Sequence, residues 1–180
     1  MSKSWSLGPS SGQLLIRTGV AGPAAKTGHR LTIAMQSWQA TVDWKGTTPV
    51  RVDLTVDVDS LEVLKGEGGV TPLTGPEKGI VRLNALKSLD AKKFPHIRYT
   101  AGEVSEIPDG YRLSGAVEIH GKSRPVSVDV AVEDRGEVWA VTAQTVVTQT
   151  DFGVKPYSLL MGAVKVADQV AIDFSATQAK

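Results

Sequence analysis

Three histidines, His29, His96 and His120, are the side chains best suited to metal binding or proton transfer. They lie far apart in the sequence, and no pair has the His-x-His or His-x3-His spacing of a short metal-binding motif. We interpret them as histidines of exposed loops or strand ends, and we predict no metal site and no cofactor. Convergence of all three in space stays open at this point.

Three carboxylates, Asp53, Asp57 and Asp59, form a second candidate site, because such a row is able to bind calcium or to exchange protons. The segment VRVDLTVDV, residues 50–58, has valine or leucine at every even position and polar residues at the odd ones. Asp53, Asp57 and Asp59 all stand at odd positions, like the polar residues of this segment. We therefore expect them on the solvated outer face of a strand.

Several catalytic and phosphate-binding signatures are missing from the sequence. There is no Ser-x-x-Lys motif and no cysteine. The glycine-rich segment GEGGVTPLTGPEKG, residues 66–79, has neither a Gly-Lys-Ser/Thr nor a Gly-x-Gly-x-x-Gly pattern. We interpret it as a mobile loop before a helix; its functional alternative is a lid or portal at one end of the fold.

The composition is that of one soluble globular domain, residues 1–180, with 41% hydrophobic and 22% charged residues. The 20 basic side chains nearly balance the 19 acidic ones, which argues against nucleic-acid binding. The N-terminal MSKSWSLGPSSG lacks the apolar core of a signal peptide, and no run approaches the roughly 20 apolar residues of a membrane-spanning helix. We expect a cytoplasmic protein.

Most of the sequence alternates apolar and polar residues with the period of two that is typical of β-strands. The pattern predicts eight strands, at 14–18, 31–44, 50–58, 97–105, 111–119, 126–132, 138–148 and 170–176. Short turn signals separate several of them, which indicates antiparallel neighbours. Within 31–44 the apolar parity changes, so we predict a bulge or sharp bend near residues 36–38.

One segment, EKGIVRLNALKSLDAKK, is predicted to be helical and to stop before Pro95. Its predicted apolar stripe is Ile80, Leu83, Leu86 and Leu89. Basic residues concentrate around it, at Lys78, Arg82, Lys87, Lys92, Lys93 and Arg98. A charged outer helix face is the simpler interpretation, and transient contact with an anionic membrane surface is the alternative.

One helix cannot cover the apolar faces of eight strands, so the sheet must pack against itself as a sandwich or as a closed barrel. The interior of an eight-stranded barrel is filled by side chains or holds one small ligand. The inward residues are mostly Val, Ala, Leu and Ile, and aromatic residues make up only 6% of the chain. Such small side chains favour a cavity.

Three segments carry a more specific pattern: LDAKKFPHIRYTAGEV, YRLSGAVEIHGKSRPVSVDV and TQTDFGVKPYSLLMGAVKVADQVAIDFSA. Phe94-Pro95, Pro125-Val126 and Asp151-Phe152-Gly153 follow one another in an order and spacing that resemble the YceI-like family. The N-terminal WSLGPSSGQLLIRTG is similar to the opening strand of that family. The resemblance covers roughly the whole chain.

The resemblance implies an all-β fold, an eight-stranded antiparallel lipocalin-like barrel with one helix beside it. It also implies non-enzymatic binding, storage or transport of a polyisoprenoid or similar long-chain amphiphilic lipid in the barrel lumen. We predict ligand contacts from inward and rim positions, namely Leu31, Ile33, Met35, Trp38, Tyr99, Leu113, Val117, Phe152, Tyr157, Leu160 and Met161.

Two other functions stay open. An enzyme acting on a small hydrophobic substrate would need Asp, His and Tyr side chains that converge in the lumen, and a structural or interaction module would have a filled core. A homodimer formed through exposed aromatic residues, with Trp5, Trp44 and Trp139 contributing, is a further prediction.

Overall fold

Residues 2–180, which the computed structural model describes, form one antiparallel sheet and a single α-helix. The strands are β1 (Ser2–Leu7), β2 (Gly12–Ala21), β3 (His29–Met35), β4 (Trp38–Lys45), β5 (Thr48–Asp57), β6 (Leu61–Gly68), β7 (His96–Ile107), β8 (Gly110–Ile119), β9 (Lys122–Asp134), β10 (Val138–Thr148), β11 (Ser158–Leu159) and β12 (Val164–Ala179). The helix α1 spans Gly75–Ser88. None of the helices in residues 2–180 combines the length and apolar character needed to cross a bilayer.

The sheet has 12 strands, so the predicted number of eight is wrong, whereas the all-β antiparallel class is confirmed. The predicted strand 31–44 is two strands, because the chain bends at Gln36 and Ser37. Sequence alternation missed β1, β6 and β11. The first is mostly polar, the second contains two glycines and the third has only 2 residues.

The sheet curls into a barrel-like shape because β3 and β4, each next to an end strand of the sheet, are consecutive in the chain. The strand order is β1-β4-β5-β7-β8-β9-β10-β12-β2-β3-β6, with β11 beside β12. At one end β4 pairs with β1 and β5, and at the other β3 pairs with β2 and β6. Only Gln36 and Ser37 separate β3 from β4. Across this bend Gln36 donates to the Ser60 carbonyl at 3.2 Å, and Asp57 donates to the Ser37 carbonyl at 3.0 Å.

The predicted bend is confirmed at residues 36 and 37, and burial explains the change of parity. Met35 and Trp38 are both buried although they lie three positions apart in the chain. In a continuous strand they would point to opposite faces. The bend turns the second segment so that its even positions now face inward.

The hairpin of β8 and β9 has the tight turn that its sequence predicts. Ile119 pairs with Lys122, so the loop contains only His120 and Gly121. Both have positive φ angles, 55° and 73°, as a type I′ turn requires. A Cβ atom at Gly121 would also lie 2.5 Å from the Phe94 ring. Glycine at this position therefore serves both the turn and the packing of the chain that enters β7.

Strands β9 and β10 diverge beside the segment that follows β10. The β9–β10 pairing extends only over Val130–Asp134 and Trp139–Ala143. Beyond it, Phe152 and Val154, each 2% exposed, belong to one apolar cluster with side chains from both strands, such as Val126 and Val147. The segment around Phe152 thus fills the gap that the diverging strands leave.

The helix begins at a capping box, in which the Thr74 hydroxyl accepts from the Glu77 amide and the Glu77 carboxylate accepts from the Thr74 amide. Its predicted apolar stripe is partly wrong, because Ile80 and Leu83 are 59% and 63% exposed. In a helix of 3.6 residues per turn, each step of three residues falls about 60° short of a full turn. A stripe with three-residue spacing therefore moves around the helix and away from the face that packs on the sheet.

The face of α1 that packs on the sheet repeats every four residues. Val81, Ala85 and Leu89 contact the apolar cluster that contains Leu61 and Val63 of β6, and Leu86 lies beside them. The helix ends at Ser88, earlier than the predicted stop before Pro95, and Asp90 follows with a φ of 49°.

Arg82 fastens the helix to the sheet. Its Nε donates to the Leu61 carbonyl at 2.8 Å, and its Nη2 donates to the Asp59 carbonyl. Arg82, one of the residues of the predicted basic surface, therefore holds the helix on the sheet.

We expect Arg82→Ala to lower the free energy of unfolding by about 1.5–3 kcal/mol, since hydrogen bonds to a charged donor contribute about that much. Lys87→Ala, an exposed change in the last turn of the same helix, serves as the control and is expected to have a small effect. Urea denaturation followed by circular dichroism measures both. Equal losses in the two variants would contradict the anchoring role of Arg82.

Candidate functional site

A cavity of about 950 Å³ lies inside the curled sheet, between the strands and α1. Its wall consists mainly of Val, Leu and Ile side chains from β2 to β10 and β12. The volume lies at the upper end of the range typical of small-molecule sites, about 300–1,000 Å³. The cavity argues against a filled core and is the candidate functional site.

One end of the cavity, which we call the aromatic end, is formed by Trp5, Trp44, Pro49 and Tyr111. The rings of Trp5 and Trp44 are 4.8 Å apart, and Tyr111 meets Trp44 edge to face at 6.3 Å. Trp44 is buried and Trp5 is half-buried. Neither tryptophan therefore presents a fully exposed ring, and the homodimer stays a prediction.

The other end, which we call the mouth, reaches the surface between α1 and the segment before β12. Ile80 lines one side, and Tyr157, Leu159 and Leu160 line the other. All four line the cavity and are also exposed to solvent. These side chains therefore border an opening of the cavity at the surface.

The polar groups of the wall are few, and several are already hydrogen-bonded. The Tyr99 hydroxyl donates to the Val126 carbonyl at 3.0 Å, and burial raises the pKa of this phenol, so Tyr99 is neutral at physiological pH. The Thr18 hydroxyl accepts from the Leu31 amide at 3.0 Å. Gln149 donates its side-chain amide to the Ala167 carbonyl at 3.0 Å. These groups stabilise the wall and do not form an acid–base pair.

The three histidines do not converge, because each has its own partner. His29, which lines the cavity, lies 2.6 Å from the Thr71 carbonyl, and His120 lies 3.1 Å from the Phe152 carbonyl. His96 lies 3.2 Å from the Asp57 carboxylate on the outside of the sheet. Within residues 2–180, no group of three or more His, Asp or Glu side chains is arranged to hold a metal ion.

The aspartates of β5 also have local partners on the outer face. Asp53 accepts from Arg51 at 2.7 Å and from the Thr100 hydroxyl at 3.0 Å. The hydrogen bond from Arg51 lowers the pKa of this carboxyl. Asp57 accepts from the Ser37 hydroxyl at 2.5 Å. The expectation of an outer, solvated row is confirmed for these two.

Most residues predicted to contact a ligand lie on the cavity wall. Those that line it are Leu31, Ile33, Met35, Tyr99, Leu113, Val117, Phe152, Tyr157 and Leu160. Whether they contact a ligand stays a prediction. Two others lie elsewhere: Trp38 packs edge to face on Phe174 at 5.3 Å, outside the lining, and Met161 is fully exposed.

Much of the wall that β2, β9 and β12 contribute was not predicted from the sequence. The omitted lining residues include Leu14, Ile16, Val128, Val130, Ile172 and Phe174. The alternation that defined the predicted strands would have found them, since they share the inward parity of their strands.

Comparison with known proteins agrees with this architecture. The structure of Burkholderia cenocepacia BcnA matches with a TM-score of 0.67 and 18% identity, over 92% of this chain and 96% of that one. A Campylobacter jejuni YCEI protein matches with a TM-score of 0.61 and 13% identity, over 82% and 84%. A mutant of the latter carrying a monobromobimane guest matches equally well. These likenesses establish the fold.

A comparison with curated protein sequences gives no match. The family model of the YceI-like domain, in contrast, matches residues 13–178, which includes nearly every strand of the barrel. The chain therefore belongs to the YceI-like family.

Proposed function

We propose that the protein binds a polyisoprenoid or a similar long-chain amphiphilic lipid in its cavity, as a non-enzymatic carrier or store. The observation that carries the proposal is the apolar cavity of about 950 Å³ with a mouth at the surface. Water in a cavity of that size, about 30 molecules, would find few of the polar partners that it needs. A hydrocarbon chain needs none.

The binding free energy would come from desolvation of the chain. Burial contributes about 0.8 kcal/mol per methylene-sized group, or roughly 4 kcal/mol per five-carbon isoprene unit. Loss of translational and rotational freedom costs about 4–15 kcal/mol. A chain of about four units therefore offsets this cost without any specific hydrogen bond.

The wall chemistry favours binding over catalysis. A general acid and base would have to lie within hydrogen-bond reach of one substrate position. The phenol of Tyr99 is neutral and bonded to a carbonyl, and Glu77, the acidic residue of the lining, caps α1. We therefore propose a ligand-binding role and no chemical step.

Prenyl alcohols of increasing length test this proposal. We expect geraniol, farnesol and geranylgeraniol to bind one per protein, each added unit tightening the dissociation constant at least about tenfold until the cavity is filled. Native mass spectrometry of the protein after organic extraction and incubation with each alcohol gives the stoichiometry and relative affinity. An unchanged protein mass at excess geranylgeraniol would refute a lipid-binding cavity.

Two neighbouring residues of β8 offer a matched pair of substitutions. Leu113 is buried in the wall, whereas Ser114 is exposed on the outer face. We expect Leu113→Asp to weaken geranylgeraniol binding by about a hundredfold or more, because a carboxylate in the wall must lose its hydration when the chain enters.

The control variant Ser114→Asp is expected to bind geranylgeraniol like the unaltered protein. Thermal unfolding followed by circular dichroism shows whether each variant is folded. If a folded Leu113→Asp variant retains full affinity, the chain does not occupy the cavity.

A further inference from the structure

An apolar loop borders the mouth of the cavity. This mouth loop, residues 157–162, contains Tyr157, Leu159, Leu160 and Met161, and the last two are 72% and 108% exposed. Single exposed apolar residues are ordinary on protein surfaces, but contiguous patches mark interaction sites. Ile80 extends the patch across the mouth onto α1.

The backbone holds the tip of the mouth loop in a defined shape. Leu160 and Met161 have φ angles of 52° and 56°, a left-handed conformation that residues with a Cβ atom seldom adopt. The loop is fixed on both sides, since Val166 donates to the Tyr157 carbonyl at 2.9 Å and Ala163 donates to the Leu160 carbonyl at 3.1 Å. The fold therefore presents these side chains to solvent.

Positive charge flanks the mouth loop. Lys155 precedes it and Lys165 follows it, and Lys26 lies on the neighbouring segment, where the Ala24 amide donates to the Ala163 carbonyl at 2.8 Å. In the part of the chain that the structure describes, residues 2–180, none of these lysines forms an ion pair.

Two acidic groups near the mouth loop already have hydrogen-bond partners. Glu77 caps the helix, and Asp168 accepts from the amide and hydroxyl of Thr150 at 2.9 and 2.6 Å. An apolar tip with unpaired lysines beside it is the arrangement that binds the surface of an anionic bilayer, where apolar side chains enter the headgroup region and lysines meet lipid phosphates.

We propose that the mouth loop docks on an anionic lipid bilayer, so that the cavity opens toward the lipids from which its ligand is taken or to which it is delivered. This surface differs from the predicted basic helix, whose Arg82 is bonded to backbone carbonyls. The docking proposal rests on the proposed function, because a lipid ligand is the reason for the mouth to contact a membrane.

Vesicle flotation tests the docking surface with the full chain. We expect the protein to float with vesicles of phosphatidylcholine containing about one third phosphatidylglycerol and to float much less with pure phosphatidylcholine. Met161→Asn is expected to reduce the partition coefficient by about tenfold, because a large apolar side chain is removed from the interface. Asparagine tolerates the left-handed conformation at this position. Lys155→Gln is expected to reduce it by about fivefold.

Val50→Thr provides the matched control. Val50 is 40% exposed beside Pro49 at the aromatic end of the cavity, away from the mouth. We expect this variant to float like the unaltered protein. Equal flotation of Met161→Asn and Val50→Thr, or failure of the unaltered protein to float, would overturn the proposal. So would size-exclusion chromatography showing a dimer that Met161→Asn dissociates, since the loop would then bind a second copy.

The outcomes separate docking from ligand binding. Neither Met161 nor Lys155 lines the cavity, so both variants are expected to keep the affinity of the protein for geranylgeraniol in detergent-free solution. Uptake of geranylgeraniol without flotation refutes docking alone. Flotation that depends on Met161, without uptake of geranylgeraniol, supports the docking surface and refutes the proposed function.

Discussion

The inward side chains of the curled sheet do not meet across its interior, and this single constraint shapes the rest of the molecule. The interior of such a barrel is either filled by large side chains or left with a cavity. Here the wall is mostly Val, Leu and Ile, and Trp44 contacts both Trp5 and Tyr111 at one end. The remaining volume lies between two clusters of buried residues, one around Ile33 and one around Leu113.

The two ends of the cavity differ because different parts of the chain form them. Paired strands and aromatic rings form the aromatic end, whereas a helix and an irregular segment surround the mouth. The segment after β10 contributes to both the wall and the mouth. Phe152 and Val154 pack between diverging strands, and a few residues later Leu159 and Leu160 reach the surface. The Asp151-Phe152-Gly153 motif is thus part of the barrel wall and positions one side of the mouth.

Sequence alternation predicted the wall where strands are regular. Leu31, Ile33, Leu113 and Val117 occupy alternate positions of long strands, so their inward direction follows from the pleat. The direction of a side chain was predicted wrongly where it depends on contacts between distant parts of the chain. Trp38 follows the bend and packs on Phe174, a contact that no local pattern encodes.

The errors near the mouth and on the helix have similar causes. Met161 is apolar, yet its left-handed backbone directs it to solvent, and the sequence of a loop does not reveal φ angles. The stripe of Ile80 and Leu83 failed because three-residue spacing rotates away from the packed face of a helix. Strand number was underestimated because β1 and β6 have little alternation of their own and are held by pairing with β4 and β3.

We propose that the interior of the barrel accepts an apolar molecule in the native state. The most direct measurement is fluorescence titration of the extracted protein with N-phenyl-1-naphthylamine, an apolar probe that emits strongly only when shielded from water. We predict saturable uptake of one probe per protein, energy transfer from Trp44 in the wall, and displacement by geranylgeraniol. An emission that stays at the level of free probe, with tryptophan fluorescence unchanged, would show that the interior takes up no apolar molecule.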